Sequence, residues 1–168
     1  MALASPHVLL ASGNINKMIV NLGGVLSAVE LEKIEDARQD CIIGLLNLGI
    51  THYNFSISIS NKNWRHKVSR FYYSAYNCRR SVELFQTGQY KEDSTDHEKV
   101  KKALIDKFPN AEMYVSELDA LRSDRNTSDY DFLATANDLI NTLDHYEHIV
   151  GQFIDDSMTY LRRKTVIQ

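Results

Sequence analysis

The sequence predicts an all-α protein, an up-and-down bundle of four to five helices. The chain has 168 residues, of which 43% are apolar, but only seven glycines and two prolines to interrupt helices. Apolar side chains recur at spacings of three and four over most of its length, which is the period of an amphipathic helix. The length suits one domain with a sizeable core.

Composition narrows the class of protein further. The formal net charge is −3, so any contact with RNA would have to use a local basic patch. Cys41 and Cys78 are isolated and lack metal or redox spacing, which favours reduced core thiols. The amino-terminus has no basic start of a signal peptide, and no apolar run approaches membrane-spanning length. We therefore expect a soluble cytoplasmic protein with no membrane partner.

Residues 1–26 form an N-terminal extension to a helical domain of residues 27–168. A short helix is expected from Ile15 to Leu22, and Gly23 and Gly24 then break it. The extension either packs on the bundle or docks a partner, and the residues alone do not separate these alternatives.

The first long helix begins with a capping box, in which Ser27 is followed three residues later by Glu30. Residues 55–60 alternate as a strand would, but there is no second strand for them to pair with, so they are interpreted as the last turns of this helix or a loop. The expected apolar stripe of the helix consists of Leu31, Ile34, Cys41, Leu45, Leu48 and His52.

The next helix has the clearest pattern, and Gly88 ends it as a C-cap. Arg70, Arg79 and Arg80 lie off its apolar seam and are expected to be solvated, with an RNA-phosphate surface as the alternative. The seam repeats at alternating spacings of four and three and consists of Trp64, Val68, Phe71, Ala75, Cys78, Val82 and Phe85.

Three further helices are expected. One starts near His97 and is stopped by Pro109, and a fourth runs from Ala111 to Arg122. A long final helix has apolar positions from Phe132 to Leu161. The polar stretch of residues 121–132 is interpreted as the connection between the last two, with its capping types at residues 126–129 opening the final helix.

Three blocks of this sequence resemble a known family. Residues 69–80 read Ser-Arg-Phe-Tyr-Tyr-Ser-Ala-Tyr-Asn-Cys-Arg-Arg and resemble the "ayYaayhaar" helix of HEPN domains, especially their small prokaryotic branch. His97 and Val100 resemble the "H-x-x-V" element that follows there. Residues 121–130 resemble the "L-R-x-x-A-D-Y" element of that branch. The blocks occur in the family's order, and the resemblance covers roughly residues 28 to 163.

The resemblance implies a helical bundle that forms a homodimer and needs no cofactor. Active members of the family cleave RNA without metal in toxin–antitoxin, antiphage and CRISPR-related systems. They use a dimer cleft with an Arg, four to six residues and a His from each subunit. Many are encoded beside a minimal nucleotidyltransferase, so such an enzyme is a possible operon partner. Arg125 and Asn126 match the start of the family's motif.

The sequence departs from that motif at its catalytic base. Five residues after Arg125 the chain has Tyr130 where the nucleases have His. A His with a pKa of about 6.5 accepts a proton at neutral pH, whereas a Tyr with a pKa of about 10 is a poor base. Phe132 stands where toxins controlled by nucleotidylation carry a Tyr. The branch with Asp-Tyr at this place, an Arg-x-x-x-Asp-Tyr element, shares the departure.

Three interpretations of this site follow. In the first, Arg125 holds the scissile phosphate, His97 or Asp129 is the base, and Tyr130 donates a hydrogen bond. In the second, the cleft binds RNA or a nucleotide without cleaving it. In the third, Arg125 pairs with nearby aspartates and only holds helices together. Given the resemblance, contact with a ligand is favoured slightly over pure structure. The additional contact residues would be Asn126, Arg122 and Arg79.

The remaining histidines give weaker signals. His97 could instead be a local helix cap. His145 and His148 are helical neighbours that could approach one metal, but no further ligand pair accompanies them, so polar surface positions are favoured. His52 has no recognisable constellation around it. The enzyme and the binding module both remain open, and Tyr130 favours the binding module.

Overall fold

The computed structural model describes residues 13–89 and 108–163. Within these ranges the chain forms five α-helices and no β-strand, which confirms the all-α bundle. The helices are α1 (Ile15–Leu22), α2 (Ala28–Ser58), α3 (Trp64–Thr87), α4 (Ala111–Tyr130) and α5 (Leu143–Arg163), with two short 3₁₀ turns at Asn61–Asn63 and Ala136–Asp138.

The short helix α1 is tied to the end of α3. Asn14 caps α1 by accepting from the Lys17 N–H at 3.0 Å, and its own side-chain amide donates to the Thr87 carbonyl at 3.1 Å. The Ile15 N–H donates to the Gly88 carbonyl at 2.8 Å, and the Ile15 side chain is fully buried. This part of the N-terminal segment therefore packs on the bundle.

Helix α2 begins and ends as its sequence predicts. Ser27 and Glu30 form both hydrogen bonds of the capping box. The helix continues to Ser58, so the alternating residues 55–58 are its last turns. The expectation that Leu48 lies in the core is wrong, because its side chain is 45% exposed. The helix is long enough for its apolar stripe to drift around the axis.

Helix α3 is the central element and packs on α2, α4 and α5. Gly88 ends it in the left-handed conformation with φ +66°, as expected for a C-cap glycine. The predicted seam faces the core: Val68, Phe71, Ala75, Cys78 and Val82 are all buried. Both cysteines are free thiols.

The predicted boundary between α4 and its successor is wrong. Helix α4 does not end at Arg122 but continues to Tyr130, and α5 starts only at Leu143 instead of near Phe132. Ser128, a capping type, is accommodated because its hydroxyl donates to the Arg125 carbonyl three residues earlier, at 2.8 Å. Phe132 is 87% exposed and lies outside both helices.

Residues 131–142 form the actual connection. Thr135 and Asp138 make a capping box around its 3₁₀ turn. Arg65 of α3 binds the carbonyls of Ser128 and Ala134, each at 2.7 Å, and so fixes the start of the connection to the end of α4. The connection is therefore ordered although most of its side chains are exposed.

No single helix in the described ranges is long and apolar enough to cross a membrane, although α2 and the segment Asn61–Thr87 together, across a 120° bend, meet the length and composition criteria. The helix expected near His97 lies outside the described residues.

Candidate functional site around Arg125

Arg125 lies on the last turns of α4 and is held by three neighbours. Its Nε lies 2.8 Å from the Asp129 carboxylate one turn later. Its Nη2 donates to the Tyr73 hydroxyl of α3 at 3.2 Å, and its Nη1 donates to the Asn126 side-chain oxygen at 3.2 Å. The side chain of Arg125 is 20% exposed. The guanidinium is thus positioned at the surface by contacts from two helices.

Three tyrosine rings surround this guanidinium. The Arg125 Cζ lies 5.7 Å from the ring of Tyr72, 5.8 Å from that of Tyr73 and 5.6 Å from that of Tyr130. Each distance is within the range of a cation–π contact. Tyr72 is buried, whereas Tyr130 is 75% exposed. Arg125 therefore lies between the buried ring of Tyr72 and the accessible ring of Tyr130.

Electrostatics keep Arg125 charged. Burial lowers its pKa, but the Asp129 carboxylate and the Tyr73 hydroxyl more than offset this, so the net pKa lies above its ordinary value. Burial and the neighbouring Tyr76 raise the pKa of Tyr72 to about 12 against the lowering effect of Arg122 and Arg125. Neither Arg125 nor Tyr72 is therefore a base at neutral pH.

The structure brings together four of the predicted site residues: Arg125, Asn126, Asp129 and Tyr130. Arg122 lies one turn earlier on α4, half-buried and close enough to Tyr72 to lower the pKa of that tyrosine. His97 lies outside the described residues.

Arg79 departs from its expected environment. The prediction that it is solvated is wrong, because its side chain is buried and pairs with Glu83 of the same helix at 3.3 Å. It lines a narrow cleft between α3 and α4, together with Tyr72, Tyr76 and Leu118. An approaching RNA phosphate would therefore have little access to it.

The sequence predicts His52 on an apolar stripe and Arg70 as solvated or, alternatively, as part of an RNA-phosphate surface, but it does not predict their contact with each other. In the structure the His52 ring centroid lies 5.8 Å from that of Tyr73, and its Nδ1 lies 3.5 Å from Arg70 Nη1. The Arg70 guanidinium also lies 5.8 Å from the ring of Phe55. The contacts join residues 15 to 21 positions apart on two helices, and the spacing within one helix does not predict such pairs.

Neighbouring ionisable groups have structural partners. Asp124 is buried and accepts hydrogen bonds from the connection and from Tyr146 of α5. His145 lies 2.7 Å from the Glu117 carboxylate, so it is paired and not free for a ligand. In the part of the chain that the structure describes, no three His, Cys, Asp or Glu side chains are grouped as metal ligands.

Comparison of the chain with protein-family models, with curated proteins and with solved structures finds no match. A fixed guanidinium among aromatic rings suits an anion attached to a flat ring, because the Arg binds the oxygens of a phosphate while an exposed Tyr can stack on a base.

Proposed function

We propose that the chain is a HEPN-like protein that binds single-stranded RNA at Arg125 as a non-cleaving module, in a prokaryotic stress, toxin–antitoxin or antiphage defence system. The observation that carries this proposal is the position of the Arg125 guanidinium beside the accessible ring of Tyr130. Proteins that bind single strands combine cationic groups for the backbone with aromatic side chains for the bases.

The contacts of Arg125 fit a binding role. The Asp129 carboxylate forms an ion pair with Nε, and the other two nitrogens donate to neutral oxygens of Tyr73 and Asn126. A phosphate can replace these neutral acceptors with a charge-assisted, two-pronged hydrogen bond. The ring of Tyr130 is exposed, which suits stacking on a base.

Binding can be tested with a fluorescein-labelled ten-residue uridine oligomer in EDTA, by fluorescence anisotropy at several salt concentrations. We expect Arg125→Gln and Tyr130→Ala each to weaken binding about tenfold. Arg125→Gln removes a charged hydrogen bond, and Tyr130→Ala removes a stacking contact. Lys33→Gln removes an exposed positive charge near the N-terminus of α2 and is the matched control. Equal affinity in Arg125→Gln and the wild type would refute the proposal.

A metal-independent endoribonuclease is the second candidate. The observation in its favour is the Asp129 carboxylate, which lies beside the proposed phosphate-binding group and is 29% exposed. In such a reaction the carboxylate would take the proton of the ribose 2′-hydroxyl while that oxygen attacks the adjacent phosphorus. The bond to the 5′-oxygen would break, and water would protonate the leaving oxygen. The products would be a cyclic phosphate and a 5′-hydroxyl end.

Cleavage separates the two candidates. A mixed RNA pool incubated with micromolar protein in EDTA should remain intact if the chain is a binding module. Cleavage that is lost in both Arg125→Gln and Asp129→Asn would establish the enzyme instead. Cleavage that survives both substitutions would indicate a contaminating nuclease.

The family resemblance also suggests partners. A homodimer is proposed because HEPN domains form dimers, and a nucleotidyltransferase is proposed as the protein encoded next to this chain. Co-expression of the two with an affinity tag on one would show whether they form a complex. Failure to co-purify would remove the nucleotidyltransferase from the proposal without affecting RNA binding.

A further inference from the structure

Tyr73 lies between two clusters of cationic and polar side chains. On the α4 side, its hydroxyl accepts from Arg125 and its ring lies 5.8 Å from the Arg125 Cζ. On the α2 side, its ring lies 5.8 Å from that of His52. Arg70, which contacts His52, lies one turn before Tyr73 on α3. Because α2 and α4 both pack on α3, these residues form one strip across three neighbouring helices.

The contact with Arg70 favours one tautomer of His52. A guanidinium offers only N–H donors, and the imidazole nitrogen that lies 3.5 Å from it is Nδ1, so this contact favours the neutral ring with Nδ1 unprotonated. The other nitrogen, Nε2, then carries a hydrogen and is a donor. His52 is therefore set up to donate a hydrogen bond to an anion, and it is not oriented as a general base toward one.

His52 titrates in an otherwise cationic setting. Burial and then the charge of Arg70 lower its pKa below the ordinary 6.5. The groups that face it from α3 are Arg70 and Tyr73. No described carboxylate is among the influences on its pKa. His52 is thus neutral at pH 7, and an anion bound here would be the first negative charge beside it.

We propose that His52 and Arg70 form a second phosphate subsite, which binds the phosphodiester next to the one held at Arg125. This rests on the proposed function, since it assigns the single-stranded RNA backbone a path across Tyr73 from α4 to α2. The Arg70 guanidinium and the His52 Nε2–H donate to the phosphate oxygens. The exposed ring of Phe55, which already contacts Arg70, offers an apolar surface for the adjoining nucleotide.

Two measurable consequences follow from the chemistry of the subsite. Each phosphate neutralised in a single strand adds about 0.7 to the steepness with which the logarithm of affinity falls with the logarithm of salt concentration. A phosphate that draws Arg70 away from Nδ1 and accepts from Nε2 also favours the doubly protonated imidazolium. RNA binding should therefore be coupled to proton uptake by His52 and strengthen as the pH falls.

The experiment uses the full chain and the labelled ten-residue uridine oligomer in EDTA, with anisotropy measured at pH 5.5, 6.5 and 7.5 at constant ionic strength. Salt titrations are made at pH 7.5. The variants are Arg70→Gln, Arg70→Lys, His52→Gln and Arg125→Gln, with Lys33→Gln as control. Lys33 lies on α2, nineteen residues and about 28 Å from His52. The substitution Lys33→Gln removes one positive charge, as Arg70→Gln does. Circular dichroism and thermal melting verify that each variant is folded.

We expect Arg70→Gln to weaken binding about tenfold and to reduce the salt slope by about 0.7, and Arg70→Lys to restore the slope. The wild type should bind several-fold more tightly at pH 5.5 than at pH 7.5, and His52→Gln should abolish that difference. If Arg70 had only a structural role, Arg70→Gln would not reduce the salt slope and Arg70→Lys would not restore it.

Two failures are distinguishable. If Arg125→Gln weakens binding but Arg70→Gln and His52→Gln behave as Lys33→Gln does, the second subsite is overturned and the Arg125 site stands. If the oligomer does not bind, or Arg125→Gln leaves its affinity unchanged, the proposed function is refuted. The second subsite, which rests on that function, is then refuted as well. A loss in His52→Gln that is equal at all three pH values would overturn His52 as the titrating ligand.

Discussion

At the scale of single residues, the buried carboxylate of Asp124 organises the region behind the site. It accepts from the Ile140 N–H at 2.9 Å, from the Asn141 N–H at 3.3 Å and from the Tyr146 hydroxyl at 2.6 Å. These donors lie in the connection and in the first turn of α5. One side chain of α4 therefore sets where the last helix starts. The residue types of the polar stretch alone do not predict that boundary.

Asp124→Asn should destabilise the fold by about 2 kcal/mol, because hydrogen bonds to a charged acceptor become weaker and one N–H of the new amide faces other donors. Urea unfolding gives the free energy, and hydrogen exchange at the amides of Ile140 and Asn141 locates the effect. Asp36→Asn, at an exposed position on α2, is the control and should change stability by less than about 0.5 kcal/mol. Unchanged exchange at both amides would contradict the assigned role.

His52 gives a prediction about pH. Its folded-state pKa is lowered by burial and by Arg70, so below pH 6.5 the unfolded chain binds a proton that the folded chain binds only at lower pH. Stability should therefore fall as the pH drops from 6.5 through the folded-state pKa. Urea unfolding at pH 7.5 and 5.5 should show a larger loss for the wild type than for His52→Gln. The same loss in both proteins would exclude His52 as a cause.

At the scale of secondary-structure elements, the sequence predicted helices with clear periodicity and failed where polar side chains decide a boundary. The seam of α3 and the capping box of α2 act locally, through neighbours three or four residues away. The end of α4 and the start of α5 instead depend on Arg65 and Asp124, whose partners are 16 to 69 residues distant. Spacing in the sequence carries no information on such contacts.

The crossing of α2 and α3 predicts opposite effects of one substitution at two glycines. A Cβ at Gly49 would overlap Cys78 Sγ and lie 2.9 Å from the Ser74 carbonyl oxygen, whereas a Cβ at Gly44 meets nothing within 4 Å. Gly49→Ala should destabilise by about 1–3 kcal/mol through overpacking. Gly44→Ala should stabilise by about 0.5–1 kcal/mol through helix propensity. Urea unfolding of both variants tests this, and a stabilising Gly49→Ala would refute the close packing.

At the scale of the whole molecule, the bundle could be predicted but the environment of its arginines could not. Three arginines of α3 have different environments. Arg79 is buried in an ion pair, and Arg70 contacts a histidine. Arg65, which the sequence did not single out, fixes a connection. Arg125 could be selected by resemblance, but its aromatic surroundings arise only when α4 packs on α3. Site chemistry depends on these tertiary contacts more than helix formation does.

The ordered connection also supplies the surface that we propose for a second copy of the chain. Phe132, Leu133 and Ile140 are 87%, 76% and 61% exposed, and they lie within nine residues of one another along the chain. Exposed apolar side chains grouped in this way are typical of association sites. Because Arg65 and Asp124 hold the backbone of this segment, little ordering entropy would be lost on pairing.

In the proposed homodimer, Phe132→Ser combined with Leu133→Ser should therefore shift the chain from dimer to monomer without loss of helicity. Sedimentation equilibrium over a hundredfold range of concentration measures the mass, and circular dichroism measures helix content. Val20→Ser, which removes an equally exposed apolar side chain on α1, is the control and should leave the dimer intact. A wild type that is monomeric throughout, or a double variant that still dimerises, would exclude this surface as the interface between copies.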